Sequence, residues 1–228
     1  MSNFKNINFE NFIPNDKFKT SKSSNKKTFY NLLKKINKKI KEKNNIFNSF
    51  SYDFKFNFNL KKINKFKKFK RIITIGFGGS ILGTQAINSF LKRKTNKELI
   101  FINNLDFDQI KKLNKINNLR NSLFVIISKS GNTIEILSII DSLRKNANFN
   151  KNNSLVITDD KKSYLNSFAK KHKIKIFSQR KFIGGRYSVF TETALIPSYL
   201  MGVNILKLKK NILNFVNKKK IYTNWKFN

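Results

Sequence analysis

Five short apolar runs, each followed by a stretch with helical periodicity, dominate the chain from residue 71 onward. They are Arg71–Ile75, Leu99–Ile102, Leu123–Ile127, Leu155–Thr158 and Ile174–Phe177. Between them the spacing predicts helices through Phe90, near Asp108–Ile116, from Asn132 to Lys145, and near Ser163–Lys171. A strand that is apolar throughout must be covered on both faces, and parallel neighbours need a crossover helix between them. The pattern therefore specifies an α/β chain whose doubly wound, five-stranded parallel sheet lies between two layers of helices. In that architecture ligands sit outside the carboxyl ends of the strands, so the residues after each strand carry the functional information.

The flanks are different. Up to about Ser24 the chain is polar and irregular, and its opening, Met1–Asp16, has no basic segment followed by an apolar stretch, so no secretory signal is expected. Phe29, Leu32, Leu33, Ile36 and Ile40 recur at helical spacing among lysines, which predicts an amphipathic helix. Tyr52, Phe54, Phe56, Phe58 and Leu60 alternate with polar residues, the period of a half-buried extended segment. The Lys-rich stretch Lys61–Lys70 then leads into the main domain, and Val203–Lys220 predicts one more helix before a Tyr222–Trp225 tail. The expected organisation is an N-terminal helical extension at 1–69, a main domain at 70–205 and a C-terminal helix and tail at 206–228.

Composition removes several classes of chemistry. The chain has no Cys and a single His, His172, which excludes a disulfide scaffold, a Cys-ligated zinc site, thiol catalysis and any site needing two imidazoles from this chain. No apolar run approaches bilayer-spanning length, so no membrane partner is expected and a cytoplasmic location is. With 48 Lys+Arg against 12 Asp+Glu the formal charge is +36, which raises nucleic-acid binding as a reading. The lysines, however, are spread along the chain among Asn, Ile and Phe, residues that share A/T-rich codons, and only six of the basic residues are Arg. Selection for phosphate or base contacts favours Arg more strongly. Drift in base composition accounts for the charge better than a specific nucleic-acid partner, and non-specific, salt-dependent association with polyanions remains expected.

Three segments at strand ends carry the chemistry. Gly76-Phe77-Gly78-Gly79-Ser80-Ile81-Leu82-Gly83 follows the first strand, where glycines allow close backbone approach and Ser80 lies at a helix start. The spacing approximates a dinucleotide fingerprint, but the acidic ribose partner is missing after the next strand, so no nicotinamide cofactor is expected. Ser128-Lys129-Ser130-Gly131-Asn132-Thr133 follows the third strand and opens a helix. Hydroxyls and helix N-terminal amides suit a phosphate monoester; ordinary helix capping is the competing explanation, although one such residue would suffice for it. Gly184-Gly185-Arg186-Tyr187-Ser188 follows the fifth strand and precedes an apolar helical run, Val189–Met201. Alone it reads as a turn with a surface Arg; beside the other two it can bring a fixed cation to the same crevice.

In this order and on these elements, the three segments resemble the phosphoglucose isomerase family and its sugar-isomerase (SIS) domain, a flavodoxin-like sandwich. The resemblance covers about residues 70–205. It implies an intramolecular aldose–ketose isomerase that interconverts glucose 6-phosphate and fructose 6-phosphate through an enediolate in glycolysis and gluconeogenesis, acting as a homodimer with no metal or organic cofactor. By resemblance, Ser128, Ser130 and Thr133 are the phosphate-binding hydroxyls with the Lys129 backbone assisting. Gly79, Ser80 and Gly185 line the sugar, and Arg186 is the catalytic group that stabilises enediolate charge, a role that acts on charge arising during reaction.

The sequence also departs from the family. Asn132 and Ile136 replace hydroxyl residues common there, and Phe77 a smaller aliphatic one. In the family a glutamate general base, a histidine and a late lysine lie in a second SIS domain downstream. Glu192 is too close to Arg186 to be that base and is expected on the following helix, Glu135 matches a helix position, and His172 sits in a Lys-rich turn. The chain is accordingly expected to correspond to the amino-terminal half of an isomerase, cut before the second domain. Two alternatives stay open: a non-catalytic SIS module that binds a sugar phosphate, and a non-specific basic nucleic-acid binder.

Overall fold

The protein is described by a computed structural model of residues 22–91 and 97–217, with side chains for 27, 28, 30–91 and 97–214. The polar start, the Phe29 side chain, residues 218–220 of the expected last helix and the Tyr222–Trp225 tail lie outside the described residues.

Every apolar run of the main domain forms a strand: β1 (Arg71–Gly76), β2 (Glu98–Ile102), β3 (Leu123–Ile127), β4 (Ser154–Thr158) and β5 (Lys175–Ser178). They make one sheet in the order β2-β1-β3-β4-β5, and all four pairings are parallel. Burial explains that order. The continuously apolar β3 and β4 are buried along their whole length, and β1 is buried from Ile72 on. The edge strands β2 and β5 start at the exposed Glu98 and Lys175.

Side chains alternate between the two faces as a pleated strand requires. Ile73, Ile75, Phe124, Ile126 and Val156 form one core, covered by α4 (Phe107–Asn114), α5 (Ile134–Ala147) and α6 (Tyr164–Lys171). Helix α5 buries Ile136, Ile139, Ile140, Leu143 and Ala147, a stripe at three- and four-residue intervals. Ile72, Leu123, Val125, Leu155 and Ile157 point the other way, onto α7 (Glu192–Leu200) and onto Ile63 and Phe66. Helix α3 (Gly79–Leu91) packs on the outer side of α7 through Ile87, Ala194 and Leu195. Helix α7 is therefore buried nearly all round, its polar Glu192, Thr193 and Ser198 included, as a helix covered on two sides must be.

The later part of the N-terminal flank, from Phe56 to Phe69, is docked on this second face. Helix α1 (Lys22–Lys41) is the amphipathic helix the spacing predicts, with Ile40 buried and Leu32 exposed. The alternation at Phe54–Leu60 is an alternation of burial in an unpaired extended segment; no ladder joins it to the sheet, and Tyr52 is exposed. The Lys61–Lys70 stretch contains α2 (Leu60–Asn64) and a 3-10 turn (Lys65–Lys68), which deliver Ile63 and Phe66 to the core. After α7, α8 (Ile205–Asn217) closes the described chain.

Candidate functional site: three loops on the carboxyl edge

The order β2-β1-β3-β4-β5 reverses direction between β1 and β3, the crevice where such sheets bind ligands. The Gly76–Ser80 and Ser128–Thr133 segments leave these two strands side by side. Between β5 and α7, the Gly184–Ser188 segment folds back onto the first of them at Gly79.

The Ser128–Thr133 loop is built on its own hydroxyls. Ser128, 2% exposed, accepts the Gly131 amide at 3.1 Å, and its Oγ lies 2.9 Å from Thr133 Oγ1. Ser130 Oγ accepts the Asn132 amide at 3.2 Å and lies 3.3 Å from the same Thr133 oxygen. The three hydroxyls thus form one chain at the start of α5. Thr133 occupies the N-cap position of α5 but makes no capping hydrogen bond. By contrast, Asp106 caps α4 through the amides of Asp108 and Gln109, and Ser163 caps α6 through that of Asn166. Capping therefore does not account for the hydroxyls at α5, and the N-terminal amides and dipole of this helix face the loop. Asn132 supports the neighbouring element, accepting the Tyr164 amide at 2.9 Å. Gly131 is required here: φ is +69°, and a Cβ would lie 2.2 Å from Ser163 Oγ. Ile136 belongs to the core.

The two glycine segments touch each other. A Cβ on Gly79 would lie 2.4 Å from the Gly185 carbonyl carbon and 2.6 Å from the Arg186 nitrogen, so only glycine permits this backbone contact. Ser188 fastens it, donating to Gly185 O at 2.6 Å and Gly79 O at 3.3 Å. The amide of Ser80, in the first turn of α3, bonds back to Phe77 O at 3.1 Å. The loops from β1 and β5 are thereby fixed as a unit, with Gly79 and Gly185 half-buried in the contact.

Lys129 joins that unit to the hydroxyl loop. Its ammonium donates to Lys181 O and Ile183 O, both at 2.9 Å, immediately before Gly184. The sequence assigned Lys129 a backbone role; its side chain holds the arginine-bearing turn. Arg186 itself is exposed on a 3-10 turn (Gly185–Tyr187) and has no ion-pair partner among the described residues. The fold thus gathers Gly79, Ser80, Ser128, Lys129, Ser130, Thr133, Gly185 and Arg186 on one edge of the sheet. His172 caps the carboxyl end of α6 ahead of β5, at the opposite edge.

Glu192 opens α7 and is fully buried. It accepts the Arg180 amide at 2.6 Å, and its second oxygen lies 3.9 Å from Arg180 Nε. Burial raises its pKa above the ordinary carboxylate value; the amides of Glu192 and Arg180, the guanidinium and Asn57 oppose that rise. A carboxylate enclosed in this way cannot meet a substrate proton. Sequence reasoning placed Glu192 on a helix and missed its pairing, for which the sequence carries no periodic signal.

Comparison with known proteins identifies the family and the fold. A family model described as phosphoglucose isomerase matches residues 24–212. A glucose-6-phosphate isomerase from Methanocaldococcus jannaschii is 37% identical over 153 residues, covering 66% of this chain and 37% of that protein. One from Borreliella afzelii is 35% identical over 170 residues, 70% of this chain and 31% of that protein. This chain spans about a third of the length of these curated relatives. Among solved structures, a hypothetical protein from Thermus thermophilus superposes with a TM-score of 0.66 at 20% identity, over 85% of this chain and 49% of that one. A glucose-6-phosphate isomerase from Chlamydia trachomatis gives 0.54 at 22% identity, over 69% of this chain and 31% of that one. These two structures share the fold, and the family match, which extends over most of the sequence, establishes that the chain belongs to the phosphoglucose isomerase family.

Proposed function

We propose that this chain is the sugar-phosphate-binding part of a glucose-6-phosphate isomerase, taking glucose 6-phosphate or fructose 6-phosphate at the carboxyl edge of its sheet. The observation that carries the reading is the chain of three hydroxyls, Ser128, Thr133 and Ser130, at the uncapped start of α5. These donors, with the helix amides, match the terminal oxygens of a phosphate monoester. Arg186, tied through its turn to the same loop by Lys129, supplies a cation for negative charge that develops on the sugar during isomerisation.

Enediol chemistry also needs a carboxylate that moves a proton between adjacent carbons. Glu192 is enclosed and engaged with Arg180, so in this proposal the general base comes from outside the described residues, within a longer chain or a partner. The enclosure of Glu192 equally favours a second reading, a module that binds sugar phosphate without turning it over.

Titration calorimetry with fructose 6-phosphate tests the binding claim. Saturable binding is expected, with loss of at least tenfold in affinity in Ser128→Ala/Thr133→Ala, about 1.4 kcal/mol or more. Unchanged affinity in that variant removes the phosphate-loop assignment. Turnover by the 228-residue chain alone would show that the base is present after all.

A further inference from the structure

The connection from β5 to α7 carries Gly184-Gly185-Arg186, and its two ends are tied together out of solvent. Glu192 Oε1 accepts the Arg180 amide at 2.6 Å, and Oε2 lies 3.9 Å from Arg180 Nε, within ion-pair reach and beyond a hydrogen bond. A short series of bonds runs from this pair to the turn. Thr191, next to Glu192, donates its hydroxyl to Ser188 O at 2.7 Å, and Ser188 donates to Gly185 O and Gly79 O. On its other side the pair meets the N-terminal extension. The Arg180 guanidinium lies 4.3 Å from the Phe54 ring centroid and donates to Lys55 O, while Asn57 donates to Ser178 O at 2.6 Å. Lys209 of α8 stands 5.2 Å from the same ring centroid and donates to Phe54 O.

We propose that Glu192 and Arg180 form a positioning pair that closes the ends of the β5–α7 connection and so sets where Arg186 meets the sugar. The proposal rests on the sugar-phosphate reading of the site. A buried carboxylate at this point is costly unless paired. Here its partner is the residue that both begins the arginine-bearing loop and grips the extension. The pair therefore acts through Arg186 and does not touch the phosphate loop. Its removal should loosen the turn while leaving the Ser128, Ser130 and Thr133 hydroxyls in place.

The test compares the chain with Glu192→Gln and, as a second variant, Arg180→Gln, after thermal melts have shown each to be folded. Two ligands are titrated: fructose 6-phosphate, which reaches both the hydroxyl loop and Arg186, and inorganic phosphate, which needs only the loop. The expected result is a weakening of about tenfold for fructose 6-phosphate with inorganic phosphate changed by less than about twofold. General destabilisation does not produce that split. Hydrogen exchange provides the arm that is independent of the sugar. The amides of Tyr187, Ser188 and Thr191, all bonded within the connection, are expected to exchange about tenfold faster in both variants, with those of β3 and α5 unchanged. Parallel weakening of both ligands, or exchange identical to that of the parent chain, overturns the proposal. A parent chain that binds fructose 6-phosphate no better than inorganic phosphate overturns the sugar-site reading instead, and the exchange arm then decides on the pair alone.

Discussion

Gly79 shows at the scale of one residue how the site is fixed. Its missing Cβ is the space occupied by the Gly185 carbonyl carbon and the Arg186 nitrogen. Gly79→Ala should therefore push the arginine turn away, destabilising the protein by about 1–3 kcal/mol and weakening fructose 6-phosphate binding more than inorganic phosphate binding. Urea denaturation and paired titrations measure the two effects, and an unchanged turn would appear as unchanged values in both. Lys129→Met keeps the aliphatic stem and removes both bonds to the turn. At this half-buried position the loss should be about 1–2 kcal/mol, with faster exchange at Tyr187 and Ser188. Neither contact was legible in the sequence. The two glycine motifs were readable one by one, but spacing along a chain does not say which two loops press backbone to backbone. A lysine among 48 basic residues likewise carries no mark of where its ammonium goes.

Elements were far more readable, because an uninterrupted apolar run has few alternatives to a buried strand. Leu123–Ile127 is such a run and is the buried centre of the sheet. Phe54–Leu60 shows the limit of that logic: period two reports which side chains are buried, not whether the backbone finds a ladder. Lys61–Lys70 hides two core residues among lysines, and there packing overrode local composition. Phe66→Ala should cost about 3–5 kcal/mol in chemical denaturation, a value incompatible with a simple solvated linker. The start of α7 adds a pH effect. Because Glu192 has a raised pKa in the fold, the native state keeps a proton that the unfolded chain has released between the ordinary carboxylate value and the raised one. Stability from this group is full below that window and falls as pH rises through it. Urea midpoints followed across this window should fall less steeply for Glu192→Gln than for the parent; equal slopes would contradict the assignment.

For the whole molecule, a charge of +36 and the proposed phosphate-binding edge must be kept apart. Diffuse lysines should hold a labelled single-stranded oligonucleotide at low salt and release it by physiological ionic strength in a fluorescence-anisotropy titration. Tight binding that persists there would restore the nucleic-acid reading. A sugar phosphate held by hydroxyls and helix amides should depend on salt much less. The most direct measurement is a crystal structure with fructose 6-phosphate bound. The phosphate is expected within hydrogen-bond distance of the Ser128, Ser130 and Thr133 hydroxyls, with the sugar extending toward Arg186. A phosphate seated elsewhere on the molecule, with that loop empty, would contradict it.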